Sequence, residues 1–254
     1  MPLGTPRVAV VTGGGSGIGA ALARQLASDD WKCVLIGRRA EPLAALAAEI
    51  DGESEVCDVS DQTAVARAAA AVGSRHPAVG LLVNNAGIPG RSNFLDAPSE
   101  RVEQLVAVNY LGALWVTRAF LPLLEAAQGA QVVNVVSVAG TVALGPYSAS
   151  KHAQLALSRS LSIELRPRGI HVLTVNPGFV ETEGFPQERL GRLQAVVVGP
   201  EYVAERIVGA LRRGRTEIFV PGWYRPAAWL QSFAPGALAR LRGRRRGRAG
   251  TRRR

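Results

Sequence analysis

The sequence predicts an α/β fold in which a doubly wound parallel sheet of about seven strands is flanked by helices on both faces. Short apolar, β-branched runs alternate with Ala- and Leu-rich stretches of helical length, and a glycine-rich loop follows the first run. The length of 254 residues, with 47% apolar residues, suits one large α/β domain. Strands that alternate with helices pair in parallel through right-handed crossovers. The chain is therefore expected to form a single domain around one sheet.

The first strand is predicted at residues 7–12, RVAVVT, a run typical of a buried parallel strand. A glycine-rich loop at residues 13–19 follows directly, and a helix then extends to about Ser28. Glycines let the backbone approach a pyrophosphate closely, and the N-terminus of the helix offers free N–H groups to its oxygens. This order of strand, loop and helix predicts a dinucleotide-binding site.

The second strand, at residues 32–36, ends in Gly37, Arg38 and Arg39. In a site that prefers NAD, an acidic residue near this strand end would bind the ribose hydroxyls. Two guanidinium groups stand there instead, and their forked donors match a 2′-phosphate. NADP is therefore the favoured cofactor, with Arg38 the expected contact; the alternative is a solvated basic turn.

A helix over residues 41–50 leads to the third strand, at 53–57, which is followed by Asp58 and Val59. A carboxylate at the C-terminal end of a parallel strand faces the ligand crevice, where it could accept a hydrogen bond from an adenine amino group. The alternative is an N-cap, but Ser60 or Asp61 suits that role better for the helix that extends to residue 72.

The fourth strand, at residues 80–83, ends in NNAG at 84–87, where small residues let the backbone approach a flat ligand. A long helical region is predicted at 98–127 and contains Asn109. Asn is a poor residue inside a helix, so it indicates a local break or a functional side chain. The alternative is a tolerated polar residue.

The fifth strand, at residues 131–136, places Ser137 at its C-terminal end. Gly145 and Pro146 then start a helix to about residue 165 that carries Tyr147 and Lys151. Their spacing places both on one helical face. Because a nearby ammonium favours phenolate, we expect Lys151 to lower the pKa of Tyr147 from its usual ~10. A phenol tuned in this way can exchange a proton with a substrate oxygen.

The sixth strand, at residues 169–175, is followed by NPGFVET at 176–182, and residues 183–198 are expected to form a short, mobile lid. A helix over 200–213 and a strand at 217–220 complete the sheet. The predicted organisation has three parts: a domain at 1–220, an aromatic extension at 221–239 and an Arg-rich tail at 240–254.

The net charge of +10 comes from this tail, because nine Arg lie in the last fifteen residues and removing them leaves about +1. The favoured interpretation is a disordered, solubilising tail. The alternatives are binding to an anionic membrane surface and, less favoured, contact with nucleic acid phosphates. The two cysteines are interpreted as core thiols, and no apolar run reaches the ~18 residues of a spanning helix. A cytoplasmic protein, in the alternative peripheral to a membrane, is expected, and three scattered His predict no metal site.

Together these motifs resemble the short-chain dehydrogenase/reductase family over about residues 5–220. The residues that carry the resemblance are TGGGSGIG at 12–19, Asp58, NNAG at 84–87, Asn109, Ser137, YSASK at 147–151 and NPGFVET at 176–182. The resemblance implies a Rossmann-type fold. The loop between Ser137 and Tyr147 is a few residues shorter than is usual in that family, and it forms part of the wall of the substrate pocket.

The resemblance implies four catalytic roles. Tyr147 would be the catalytic acid or base, and Lys151 would lower its pKa and bind the nicotinamide ribose. Ser137 would polarise the substrate carbonyl, and Asn109 would bind a water that connects Lys151 to solvent.

The resemblance also implies the cofactor contacts. The pyrophosphate would be held by Gly13, Ser16, Gly17, Ile18 and Gly19. The adenine would be flanked by Asp58 and Val59, with Arg38 and Arg39 at the 2′-phosphate. The ribose side would be formed by Asn85, Ala86 and Gly87, and the nicotinamide side by Pro177, Gly178, Val180 and Thr182, with Tyr147 and Lys151 beside it.

The function expected first is an NADP(H)-dependent carbonyl reductase or alcohol dehydrogenase that acts on a small or apolar carbonyl or alcohol. A narrower alternative is a 3-oxoacyl-carrier-protein reductase, although the near-neutral folded body offers no strong basic docking patch. A second alternative is a non-catalytic NADP-binding sensor or scaffold. The resemblance also implies a homodimer or homotetramer.

Overall fold

Seven parallel strands form one sheet in the order β3-β2-β1-β4-β5-β6-β7 in a computed structural model, which describes residues 7–90, 92–143, 145–183 and 196–226. The strands are β1 (Val8–Thr12), β2 (Lys32–Gly37), β3 (Glu53–Val56), β4 (Leu81–Asn84), β5 (Gln131–Val135), β6 (His171–Pro177) and β7 (Glu217–Val220). The predicted α/β class is confirmed, and each predicted strand lies within about two residues of its observed position.

The helices cover both faces of this sheet, as predicted. They are α1 (Gly17–Ser28), α2 (Ala40–Glu49), α3 (Gln62–Arg75), α4 (Ser99–Val106), α5 (Gly112–Glu125), α6 (Gly145–Glu164) and α7 (Pro200–Arg212). The strand order reverses between β1 and β4, and ligands of open parallel sheets bind where such a reversal parts the loops at the C-terminal strand ends. The fold therefore places its crevice beside the glycine-rich loop.

Alternate residues of the strands contribute to two hydrophobic layers. Ala9 and Val11 pack on one face with α1, α2 and α7, whereas Val10 packs on the other with α3, α5 and α6. All three are fully buried, because strands covered on both faces expose neither set of side chains. This two-sided burial explains the continuous apolar runs in the sequence.

The helical region predicted at residues 98–127 is interrupted as its Asn suggested. A π-helical turn at Ala107–Leu111, which contains Asn109, separates α4 from α5. The stretch Ser99–Glu125 is long and apolar enough to cross a membrane by length and composition, since it contains an 18-residue window with a mean hydropathy of 1.3. Phe120 and Leu124 are fully buried in the core, so packing in the fold accounts for its apolar face.

The C-terminal regions are described in part. Residues 221–226 continue beyond β7, whereas the rest of the aromatic extension and the tail at 240–254 lie outside the described residues. Of the lid predicted at 183–198, the structure describes residue 183 and residues 196–198, and Val198 forms an isolated β-bridge with Val180, which precedes the lid.

Candidate active site

The glycine-rich loop joins β1 to the first turn of α1. Gly17 has a positive φ of 54°, and a Cβ on Gly19 would overlap Gly13 O and lie 2.5 Å from Asn85 Nδ2. The Ser16 side chain makes no capping hydrogen bond, so the first N–H groups of α1 remain available. Ile18 packs against the core. A tight backbone cradle at an uncapped helix N-terminus suits a pyrophosphate.

The NNAG segment after β4 is braced against this loop. Thr12 Oγ1 accepts hydrogen bonds from the N–H groups of Asn85, at 3.0 Å, and Ala86, at 3.1 Å, and it donates to Val83 O. Asn85 Nδ2 donates in return to Thr12 O and Gly13 O, at 3.0 and 3.2 Å. These bonds hold two walls of the crevice at a fixed separation.

Asp58 lies where the sequence predicts it, at the C-terminal end of β3. Its Oδ1 accepts hydrogen bonds from the N–H and hydroxyl of Ser60, and its Oδ2 is 3.7 Å from Arg38 Nη1. Burial disfavours the carboxylate, but Ser60 and Arg38 outweigh burial and lower its pKa. The N-cap of α3 is Asp61, which accepts from the N–H groups of residues 63 and 64, so Asp58 is free of that role.

The two arginines after β2 have different partners. Arg39 Nη2 pairs with Glu183 Oε2 at 2.9 Å and so connects this turn to the segment after β6. Among the described residues, Arg38 has only the longer contact with Asp58, and its side chain is half exposed. Val59 is buried beside Asp58. A Cβ on Gly112, the first residue of α5, would lie 2.8 Å from Val59 Cγ2, so the Val59 side chain packs against the start of that helix.

Asn109 is fully buried in the π-helical turn. Its Oδ1 accepts from Ile88 N at 2.8 Å, and its Nδ2 donates to Ile88 O at 3.2 Å and to Ser150 Oγ at 3.0 Å. The side chain therefore ties the segment after β4 to α6. A Cβ on Gly87 would lie 3.2 Å from Asn109 Oδ1 and 3.5 Å from Lys151 Nζ, so these groups flank Gly87 from one side.

Ser137 and Tyr147 are brought together by the short turn Val138–Thr141. Ser137 Oγ accepts a hydrogen bond from Ala139 N at 3.0 Å, which fixes the start of this turn. The Ser137 hydroxyl also interacts with the Tyr147 phenol. Burial raises the pKa of Tyr147, and the interaction with Ser137 opposes part of that rise.

The expected effect of Lys151 on this phenol is not found. The ammonium is buried and donates to Gln154 Oε1 at 2.7 Å and Val135 O at 3.3 Å. Burial lowers the pKa of Lys151 to about 7. The expectation of a lowered Tyr147 pKa is therefore wrong for the cofactor-free structure, because burial dominates both groups.

The segment after β6 forms the last wall. Pro177 ends the strand, Val180 is buried, and a Cβ on Gly17 would lie 3.0 Å from Thr182 Cγ2. Thr182 therefore faces the glycine-rich loop across the crevice. A Cβ on Gly178 would overlap the ring of Tyr224, so the aromatic extension packs directly on this wall.

Two contributors to the site had no assigned role from the sequence alone. Ser150 holds Asn109, and Gln154 holds Lys151. Both lie on the face of α6 that carries Tyr147 and Lys151, and their i+3 spacing from those residues is the signal that could have identified them. Among the described residues, no group of three or more His, Cys, Asp or Glu could hold a metal ion.

The structure thus brings together two hydroxyls, a buried amine and a phosphate-sized backbone cradle at one edge of the sheet. A hydroxyl pair can bind and protonate a carbonyl oxygen. The backbone cradle, together with the strand end at Asp58, can hold a dinucleotide. The predicted site residues that are described converge on this crevice.

Comparison with known proteins agrees with this geometry. The family model described as short chain dehydrogenase matches residues 7–192. A putative ketoacyl reductase of the monensin polyketide synthase from Streptomyces virginiae is 35% identical over 226 residues, covering 85% of this chain and 86% of that protein.

Two solved structures share the fold. A short chain dehydrogenase/reductase from Burkholderia phymatum in complex with NAD superposes with a TM-score of 0.81 at 28% identity, covering 91% of this chain and 95% of that one. An alcohol dehydrogenase from Thermococcus sibiricus complexed with 5-hydroxy-NADP superposes with a TM-score of 0.75 at 27% identity, covering 84% of this chain and 94% of that one. By sequence, fold and site, this chain belongs to the short-chain dehydrogenase/reductase family of nicotinamide-dependent oxidoreductases.

Proposed function

We propose that this oxidoreductase uses NADP(H) to interconvert a carbonyl and a secondary alcohol, with Tyr147 as the acid or base. The observation that carries the proposal is that the Ser137 hydroxyl acts on the Tyr147 phenol, one helical turn from buried Lys151. When bound, the nicotinamide would give or take the hydride at C4.

The residues of the chain would supply binding and the proton. Ser137 and Tyr147 can both donate hydrogen bonds to a carbonyl oxygen, which polarises the carbonyl. Tyr147 would give its proton as the oxygen gains charge and would recover it in the reverse direction. Lys151 would place positive charge near that phenol, and Asn109 would keep the wall beside Gly87 in position through Ile88 and Ser150.

Arg38 supports NADP over NAD. Its guanidinium is half exposed, and its one ion-pair contact within the described part of the chain is with Asp58, at 3.7 Å. The strand end before it lacks an acidic residue that would suit ribose hydroxyls. Arg39 would act as a second contact by leaving Glu183. The two structural neighbours above contain different cofactors, so the assignment depends on this chain's own charges.

The proposed substrate is a small or apolar carbonyl compound. Tyr224 covers Gly178 on the wall formed by the segment after β6. This aromatic ring would favour an apolar substrate beside it. The alternative, reduction of a 3-oxoacyl chain on a carrier protein, is supported by the name of the Streptomyces virginiae relative and opposed by the near-neutral folded body. A non-catalytic NADP sensor or scaffold is disfavoured, because Ser137, Tyr147, Lys151 and Asn109 are all present.

We further propose a cytoplasmic homodimer or homotetramer. Contact of the Arg-rich tail with an anionic membrane surface is the accompanying proposal, because clustered arginines attract such a surface. Nucleic acid is the less favoured partner of the tail.

The test is oxidation of NADPH and NADH by the purified protein with aldehydes, ketones, quinones, steroids and 3-oxoacyl thioesters. We expect turnover on one class, with NADPH preferred. Tyr147→Phe should remove turnover while NADPH binding, measured by fluorescence, changes by less than about threefold. Tyr202→Phe, on the outer face of α7, is the control and should behave as the parent protein. Near-parental turnover by Tyr147→Phe would refute the assignment, and tight NADPH binding without turnover on any class would favour the sensor.

A further inference from the structure

Gln154 is a buried polar residue that lies one helical turn beyond Lys151 on α6. Its exposed fraction is 1%, and its Oε1 accepts a hydrogen bond from Lys151 Nζ at 2.7 Å. Its Nε2 is buried without a hydrogen-bond partner among the described residues. A buried amide with one end unpaired is costly, so its presence requires an explanation.

The ammonium of Lys151 dictates the orientation of this amide. An ammonium has donors only, so the amide must turn its oxygen towards it. Turning the amide over would place N–H groups against N–H groups and leave Lys151 with Val135 O alone. The amide of Gln154 therefore makes its short hydrogen bond with Lys151 although its Nε2 stays unpaired among the described residues. Lys151 is thus the main partner of the Gln154 side chain.

Other polar groups around Lys151 come from α6, the π-helical turn and β5. Tyr147 on α6 is the titratable neighbour, Asn109 lies nearby beside Gly87, and β5 presents the Val135 carbonyl. Burial alone lowers the pKa of Lys151, and no charged group of the described residues contributes to the shift. Val135 O, at 3.3 Å, is a weaker acceptor than Gln154 Oε1, at 2.7 Å.

We infer that Gln154 is a positioning residue: its Oε1 holds the buried Lys151 amine at the end of β5 and favours its protonated form. Without this acceptor, the buried ammonium would lose its shortest hydrogen bond and would more readily release its proton. The role deepens the proposed function, because a charged Lys151 is needed beside Tyr147.

The composition of the chain allows a direct test. Lys32 and Lys151 are the only two lysines in the sequence, so biosynthetic labelling with ¹³C-lysine gives one signal for each. Lys32 is partly exposed on the surface and serves as an internal reference in the same molecule. Lys32→Arg assigns the two signals.

The experiment is an NMR titration of the full chain without cofactor, for the parent and three variants. Gln154→Met keeps the volume but removes the acceptor, and it should increase the acid dissociation constant of Lys151 about tenfold. Gln154→Glu supplies a carboxylate and should decrease that constant by at least tenfold. Leu155→Met, at the next buried position of α6, is the packing control and should leave it unchanged.

The inference is supported if the acid dissociation constant of Lys151 changes in opposite directions in the two Gln154 variants while that of Lys32 stays unchanged. Shifts in the same direction, or changes below about twofold in both, would show that Gln154 only fills space. If Gln154→Glu does not fold, Gln154→Met compared with Leu155→Met decides the outcome. The titration needs no turnover, so a failure of the proposed enzymatic function leaves its result intact. Should turnover be found, its pH profile should move with the Lys151 signal.

Discussion

The Ser137 hydroxyl favours the ionised form of the Tyr147 phenol across the short turn that separates β5 from α6. Burial raises the pKa of this phenol, and Ser137 is the group in the described structure that opposes the rise. Ser137 thus has two tasks in the proposed reaction: it binds the substrate oxygen, and it makes proton release by Tyr147 easier.

Replacing Ser137 with Ala should therefore change both rate and pH dependence. We expect kcat to fall roughly 100-fold, the usual cost of losing one donor to a developing oxyanion. Losing Ser137 also raises the pKa of Tyr147. Because alcohol oxidation requires the phenolate, the pH range over which the oxidation rate rises should shift to higher pH. Steady-state pH profiles of the Ser137→Ala variant test this, with partly exposed Ser162→Ala as the control. A lower rate with an unchanged pH range would contradict the tuning role.

Arg38 and Arg39 should contribute unequally to cofactor choice. Arg39 is paired with Glu183 at 2.9 Å, whereas the contact of Arg38 within the described residues is the longer one with Asp58, at 3.7 Å. A charge-assisted hydrogen bond contributes roughly 1.5–3 kcal/mol, so Arg38→Ala should raise the KM for NADPH about 10- to 100-fold with little effect on NADH. Arg39→Ala should cause a smaller change, because a 2′-phosphate must first compete with Glu183. Equal effects of Arg38→Ala on both cofactors would argue against a 2′-phosphate contact.

The glycine-rich loop should tolerate a methyl group at one glycine and not at another. In Gly19→Ala the new Cβ would overlap Gly13 O and crowd Asn85 Nδ2, both fixed by the hydrogen bonds of Asn85. In Gly15→Ala the Cβ would meet Leu43 and Pro42 at an ordinary 3.5 Å. We expect Gly19→Ala to lose roughly 2–4 kcal/mol of the free energy of unfolding, as overpacked sites do, and Gly15→Ala to lose less than about 1 kcal/mol. Urea denaturation of the two variants measures the difference, and similar losses would show that the loop can relax.

Much of this fold could be predicted because local signals agree with the tertiary structure. Apolar runs gave the strands, and the position of Asn109 inside an apolar helix indicated the break that the π-helical turn confirms. The common face of Tyr147 and Lys151 followed from helical periodicity. These features depend on residues near each other in sequence.

Features that depend on distant contacts could not be predicted in this way. Gln154 stands among Ala, Leu and Ser residues, where a Gln usually faces solvent, and only the burial of α6 shows that it binds Lys151. The direction of the Lys151 amine, towards Val135 O, is likewise set by β5. The expected lowering of the Tyr147 pKa failed for the same reason: spacing places a charge nearby, but burial determines how stable that charge is.

The buried amine of Lys151 should make the protein more stable as the pH rises above neutral. Its pKa is about 7 in the folded chain and ~10.4 when unfolded, so between these values the unfolded state binds more protons. The free energy of unfolding should then increase with pH, by at most about 1.36 kcal/mol per unit. Below pH 7 both states are protonated, and the full cost of burying the charge remains.

Replacing Lys151 with Met removes this titration and should stabilise the cofactor-free protein at pH 7 by a few kcal/mol, and less at pH 9. Burial raises the pKa of Cys33 to about 12 and of Cys57 to about 11, which reduces stability as pH rises above ~8.5. The parent protein and Lys151→Met share the effect of the cysteines, so the difference between their free energies of unfolding reports on Lys151 alone. Urea denaturation at pH 7, 8 and 9 measures it, with Lys32→Met as the exposed control. A difference that stays constant with pH would mean that Lys151 does not change its protonation on unfolding, and the folded protein would then hold it fully charged throughout this range.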